Sequence, residues 1–177
     1  RKDSGNLKGP VVGTVMTNLG LEHALKARGL DFRRAAVGDR YVLEMLRETG
    51  GVIGGETSGH MLVLDKTTTG DGLISALQVL AVMKETGKAL SELVAGMPRY
   101  PPTMITVRTK RSLDPWQSPE IKDAVAIAEG ELADAGRVVL RASGTEPVIR
   151  VMVEGEDEGL VVSLAERLAS IVEKSAA

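Results

Sequence analysis

The sequence predicts two successive units: an α/β layer of sheet and helices over residues 1–99, then a compact α+β unit over residues 100–177. Three observations carry this reading. The first hundred residues alternate β-rich and helix-like segments. Pro98, Pro101 and Pro102 then forbid a helix and mark a connector. Beyond them the order becomes strand, helix, strand, strand, helix.

In the first unit, residues 11–16 form a short β-rich run, and residues 19–28 read as a helix stopped by Gly29. Residues 32–37 are extended. Residues 41–48 repeat the helical spacing up to Gly50 and Gly51, and Val52 and Ile53 lead into a glycine-rich turn. Residues 61–64 are a further apolar run. Residues 73–83 are apolar on nearly every side, and a helix without a polar face is expected to be buried over most of its circumference. In the second unit, residues 103–109 alternate like a half-buried strand. Ser118, Pro119 and Glu120 combine a capping hydroxyl, proline at the first helical position and early negative charge. Ile121, Ala124, Val125, Ala128 and Leu132 then follow helical spacing. Residues 138–141 and 148–153 read as strands joined by a short polar turn. A last helix over residues 160–172 places Val161, Leu164, Ala165, Leu168 and Val172 on one face.

Composition removes several classes of function. Hydrophobic residues make up 43% of the 177 and charged residues 26%, an ordinary balance for a folded chain. The absence of cysteine excludes disulfides, thiolate metal sites and thiol nucleophiles, and fits a cytoplasmic location. With 22 basic against 24 acidic residues there is no broad basic surface for nucleic acid. Phe32, Tyr41, Tyr100 and Trp116 are too few for base-stacking platforms. The apolar run at 73–83 is too short to span a bilayer, so no membrane partner is expected. The chain begins at Arg1 and shows no signal-like stretch there.

Two polar loops stand out. Residues 54–60 place Glu56, Thr57, Ser58 and His60 among three glycines, which allow close backbone approach or positive φ. A carboxylate that accepts hydrogen bonds from vicinal hydroxyls is a natural holder of a sugar; a polar surface turn without a ligand is the alternative. Residues 141–147, with Arg150 on the next strand, offer guanidinium forks, hydroxyl donors and an exposed amide within ten residues. Arg141, Ser143, Gly144, Thr145 and Arg150 together suit a dianionic phosphate. The alternative is a hairpin whose arginines pair with Glu146 or Glu154. His23 reads as a surface or satisfied histidine, and Asp71 as a cap for the following helix. Asp39 opens a helix, and Arg40 beside it is a candidate to reach a cleft.

The two loops, in this order, resemble those of the bacterial phosphoglucosamine mutases of the α-D-phosphohexomutase superfamily. Residues 11–22, 37–42 and 69–72 resemble stretches of that family's third domain. Residues 55–60 resemble its sugar-binding loop, and residues 141–147 with Arg150 the phosphate loop of its fourth domain. The likeness implies a layered mixed sheet with helices, followed by a small α+β domain of the TATA-box-binding type. It implies interconversion of glucosamine 6-phosphate and glucosamine 1-phosphate through glucosamine 1,6-bisphosphate, feeding UDP-N-acetylglucosamine and cell-wall synthesis. Glu56 and Ser58 would hold sugar hydroxyls, with Arg40 and His60 as further substrate contacts and His60 as a possible aid to proton transfer. Arg141, Ser143, Gly144, Thr145 and Arg150 would grip the phosphate that is not reacting.

The family's phosphoserine and Mg²⁺ loop lie in its first domains. No serine here precedes His-Asn-Pro, and no Asp-x-Asp pattern occurs. The resemblance therefore covers the third and fourth domains, whose expected partners are a phosphosugar and the first two domains of the same polypeptide. Alone, this chain is expected to be inactive. Thr57 stands where that family commonly carries glutamine, and its mannose and glucose relatives methionine. A phosphomannomutase or phosphoglucomutase fragment is the alternative within the superfamily, and a binding module without chemistry the alternative outside it.

Overall fold

Short strands pair around the β-branched β1 (Val11–Thr14), which lies between β2 (Phe32–Ala35) and β3 (Ile53–Gly55) and runs parallel to both. β4 (Met61–Val63) closes the edge antiparallel to β3, giving a mixed sheet of order β2-β1-β3-β4. The computed structural model describes residues 2–109, 114–143 and 146–175. Contacts divide the chain into Arg1–Arg99 and Tyr100–Ala177.

In the first unit α1 (Leu19–Ala27) connects β1 to β2, and α2 (Asp39–Thr49) returns past β1 to β3. Val42 and Leu46 of α2 are fully buried against Val12, Ala35 and Leu62. Gly54 permits this approach, because a Cβ there would lie 2.7 Å from Val42 Cγ1. Gly50, in the left-handed region at φ 69°, ends α2.

α3 (Gly72–Thr86) opens on Asp71, whose carboxylate accepts from the amides of Leu73 and Ile74, the expected cap. Its burial differs from expectation. No residue of α3 is buried, although Ile74, Gln78 and Val79 are partly covered and the helix touches β4. The apolar pattern asks for a cover on both sides, and the described residues supply one. α4 (Leu90–Val94) follows.

The second unit is an antiparallel sheet of order β5-β7-β6, built from β5 (Pro102–Arg108), β6 (Gly136–Ala142) and β7 (Val148–Gly155). α5 (Pro119–Leu132) and α6 (Glu158–Ser175) pack on one face, where Ile149, Val151 and Val153 meet Ile121, Val125, Leu164 and Leu168. Ser118 Oγ accepts from the Ile121 amide and donates to Glu120, and that bond holds the Glu120 carboxyl below its usual range. Strand alternation turns Arg150, Met152 and Glu154 of β7 to the other face. Glu154 is 1% exposed there and is neutralised by Arg137, its register partner on β6, at 2.5 Å.

Tyr100 donates its hydroxyl to Glu156 at 2.8 Å. That hydrogen bond, with burial and the carboxylate's charge adding to it, raises the Tyr100 pKa above the ordinary value of 10.0. Keeping the proton is thus favoured in the folded state. The resulting stability is fully present below about pH 10 and is lost as pH rises through the folded value. Tyr100→Phe should cost about 1 kcal/mol in denaturant unfolding at neutral pH. It should also flatten the decline in stability above about pH 10. Equal alkaline slopes in parent and variant would contradict the bond.

Candidate functional site

The chain leaves β1 toward β2 and returns to β3 on β1's other side. This is the switch point of an open α/β sheet, where a crevice forms outside the strands' carboxyl ends. β1 and β3 are parallel, so Thr14–Thr17 and Glu56 emerge on the same edge. A cleft of about 410 Å³ is lined by Asn18, Glu56 and Thr57 together with Val11, Leu21, Phe32, Ile53 and Met61, so its wall is mostly apolar.

One arginine fixes the β1 side of this crevice. Arg34 donates through Nη1 to the carbonyls of Thr14 at 3.0 Å and Thr17 at 2.6 Å, while its Nε donates to Glu22 at 2.9 Å. Thr17 Oγ1 in turn accepts from the Thr14 amide at 2.9 Å. Arg34, from β2, thereby ties the turn after β1 to the first part of α1.

The β3–β4 turn presents the predicted sugar loop. The Glu56 amide donates to His60 O at 3.1 Å and the Gly59 amide to Glu56 O at 3.0 Å, with Gly59 at φ 91°. Backbone groups therefore satisfy one another, and side chains project from a closed turn. The half-buried Glu56 carboxylate and the exposed Ser58 hydroxyl have no hydrogen-bond or ion-pair partner among the described residues. His60 is held from two sides. Its Nδ1 lies 3.2 Å from Asp39 Oδ2, and its Nε2 rests where a Cβ on Gly70 would be only 1.8 Å away. Asp39 and Gly70 were not expected as site residues: each is legible in sequence as lying at the opening of a helix, but their meeting with His60 depends on the tertiary fold. Arg40 is not drawn toward Glu56. Its exposed guanidinium pairs with Glu44 at 3.1 Å, one helical turn away, and that hydrogen bond raises its pKa.

The second loop lies between β6 and β7. Arg141 and Arg150 are direct register partners on these strands and both are half-buried. Like charges placed opposite each other across strands repel. Yet neither guanidinium has a hydrogen-bond or ion-pair partner among the described residues. The carboxylates that could have quenched them do not: Glu154 is committed to Arg137, and Glu146 is exposed. Ser143 is 8% exposed, and its Oγ accepts from the Glu146 amide at 3.4 Å. Gly144 and Thr145 lie outside the described residues. Among the described residues no three His, Cys, Asp or Glu side chains converge to hold a metal ion, and no helix is long and apolar enough to cross a membrane.

A sheet with its polar loops at a switch point, followed by a small sheet bearing an arginine pair, matches one family along nearly its whole length. Residues 1–100 match the phosphoglucomutase/phosphomannomutase alpha/beta/alpha domain III, and residues 104–171 match the C-terminal domain of the same group. The chain belongs to the phosphoglucomutase/phosphomannomutase family. Within it, the chain is 55% identical over 175 residues to the phosphoglucosamine mutase of Methylococcus capsulatus, covering 99% of this chain and 39% of that protein. It is 58% identical over 172 residues to the phosphoglucosamine mutase of Halorhodospira halophila, covering 97% and 38% respectively. The chain thus spans about two fifths of the length of the curated relatives it matches. In fold it is similar to Aspergillus fumigatus N-acetylphosphoglucosamine mutase in complex with GlcNAc-6P and magnesium. That match has a TM-score of 0.77 at 21% identity and covers 96% of this chain and 42% of that one.

The packing of His60 against Gly70 yields a direct test. Gly70→Ala would force the imidazole away and break its contact with Asp39. A displaced His60 ring signal in ¹H–¹⁵N spectra is expected with little loss of stability, because the partly exposed imidazole can swing aside. An unmoved ring would show that the arrangement is wrong.

Proposed function

We propose that this chain is the sugar- and phosphate-binding half of an enzyme that interconverts glucosamine 6-phosphate and glucosamine 1-phosphate through glucosamine 1,6-bisphosphate. The carrying observation is the arginine pair. Arg141 and Arg150 face each other across β6 and β7 without a carboxylate, an arrangement a bound dianion would neutralise. The family and the names of the close relatives support the reaction, and support glucosamine over mannose or glucose as the sugar.

In this reading the unit of residues 1–99 is the sugar-binding domain. Glu56 accepts from sugar hydroxyls, Ser58 adds a hydroxyl, and His60, oriented by Asp39, contacts the sugar or assists a proton. Arg40 is the weakest of the proposed contacts, because Glu44 already holds its guanidinium. The unit of residues 100–177 is the phosphate-binding domain, with Arg141, Ser143, Gly144, Thr145 and Arg150 on the phosphate that is not reacting. The chemistry of this half is positional: binding energy at the distant anion aligns the end of the sugar that reacts. Among the described residues no cluster of His, Cys, Asp or Glu side chains is placed to hold Mg²⁺; in this reading the metal and the phosphorylated serine belong, as the family resemblance implies, to the first domains outside this chain. A metal there would offset charge on the transferred phosphoryl group. The product would feed UDP-N-acetylglucosamine and peptidoglycan precursors in the cytoplasm.

Arg141→Ala in the full-length enzyme should lower kcat/KM about 10- to 100-fold, the value of one charged hydrogen bond to phosphate. Thermal stability should stay level or rise, since the substitution removes a like-charge repulsion. A variant that loses stability but keeps its kcat/KM would overturn the assignment, because it would make Arg141 structural.

A further inference from the structure

The arginine pair has a neighbour on the third strand of its sheet. Ile105 and Val107 of β5 pack toward the helices, so Thr106 and Arg108 turn to the face that carries Arg141 and Arg150. Register fixes where they stand. Thr106 is the direct partner of Arg150, itself the direct partner of Arg141, so the three residues form one row across β5, β7 and β6. Arg108 is paired with Val148, two residues before Arg150 on β7, and so lies diagonal to Arg150. Diagonal positions on one sheet face are about 7–8 Å apart, within reach of two long side chains.

Nothing among the described residues consumes this third guanidinium. Arg108 is exposed and has no hydrogen-bond or ion-pair partner there, and the Thr106 hydroxyl has none either. Glu166 and Glu173 of α6 line a hollow with Arg108 along the edge of β5, yet neither carboxylate forms an ion pair with it. The same sheet face is compensated at its other end, where Arg137 takes Glu154. At the loop end the three guanidiniums repel one another, and an anion lying over the row would relieve all of them. We infer that Arg108 is a third arginine of the anion site, with Thr106 adding a hydroxyl, so that a phosphate monoester is held from all three strands. The inference rests on the reading of Arg141 and Arg150 as a phosphate site and extends that site to β5.

Calorimetric binding of glucosamine 6-phosphate to the full-length protein tests it, comparing Arg108→Ala, Arg108→Gln and Arg108→Lys with Arg141→Ala. Arg108→Ala and Arg108→Gln should each weaken binding about ten-fold, the low end for a charged hydrogen bond, with no fall in melting temperature. Arg108→Lys should stay within about three-fold of the parent, because a point charge still binds phosphate. Unchanged affinity in Arg108→Ala beside a weakened Arg141→Ala would overturn the inference and leave the phosphate site standing. Unchanged affinity in both would overturn the site and the inference with it. Affinity kept by Arg108→Gln as fully as by Arg108→Lys would also overturn the inference, since the packing of the side chain and not its charge would then matter.

Discussion

Two guanidinium groups set side by side repel each other, and the β6–β7 ladder holds Arg141 and Arg150 in that position all the same. The rest of the second unit makes this possible. Ile149 and Val151, flanking Arg150 on β7, are anchored against α5 and α6, so the strand cannot rotate the arginine away without unpacking the core. Farther along the same face Arg137 neutralises the buried Glu154, and so removes the carboxylate most able to relieve the pair. This unpaired charge, held on a packed ladder, is the feature on which the proposed phosphate site rests.

The first unit solves a different problem with the same economy of means. The sugar proposed for this unit would need acceptors and donors at fixed angles, and loops alone do not fix angles. Here Glu56 follows directly on β3, and the turn that carries it closes through its own backbone hydrogen bonds. Arg34 holds the neighbouring β1 turn through two carbonyls, while Asp39 and Gly70 confine His60. The polar groups left for a ligand are those that the backbone does not consume.

Much of this could be read along the chain, because it is local. Gly50 ends α2, Asp71 and Ser118 cap their helices, and the period of α6 places Val161, Leu164 and Leu168 in the core. What could not be read depends on partners far apart in sequence. Nothing in the spacing of Arg141 and Arg150 says that they are register partners, nor that Glu154 chooses Arg137 over either. His60 and Asp39 meet only because α2 delivers its first residue to the β3–β4 turn. The burial expected of α3 failed for another reason. Hydrophobic pattern reports that a surface is to be covered, and it is silent on whether the cover lies in the same stretch of chain.

The most direct measurement is ¹⁵N NMR of the arginine side chains during titration with glucosamine 6-phosphate. The account predicts that the Nε resonances of Arg141 and Arg150 shift together and saturate along a single binding curve, while Arg137, engaged with Glu154, stays in place. Saturable binding that moves Arg137 or Arg40 and leaves both members of the pair unchanged would contradict it.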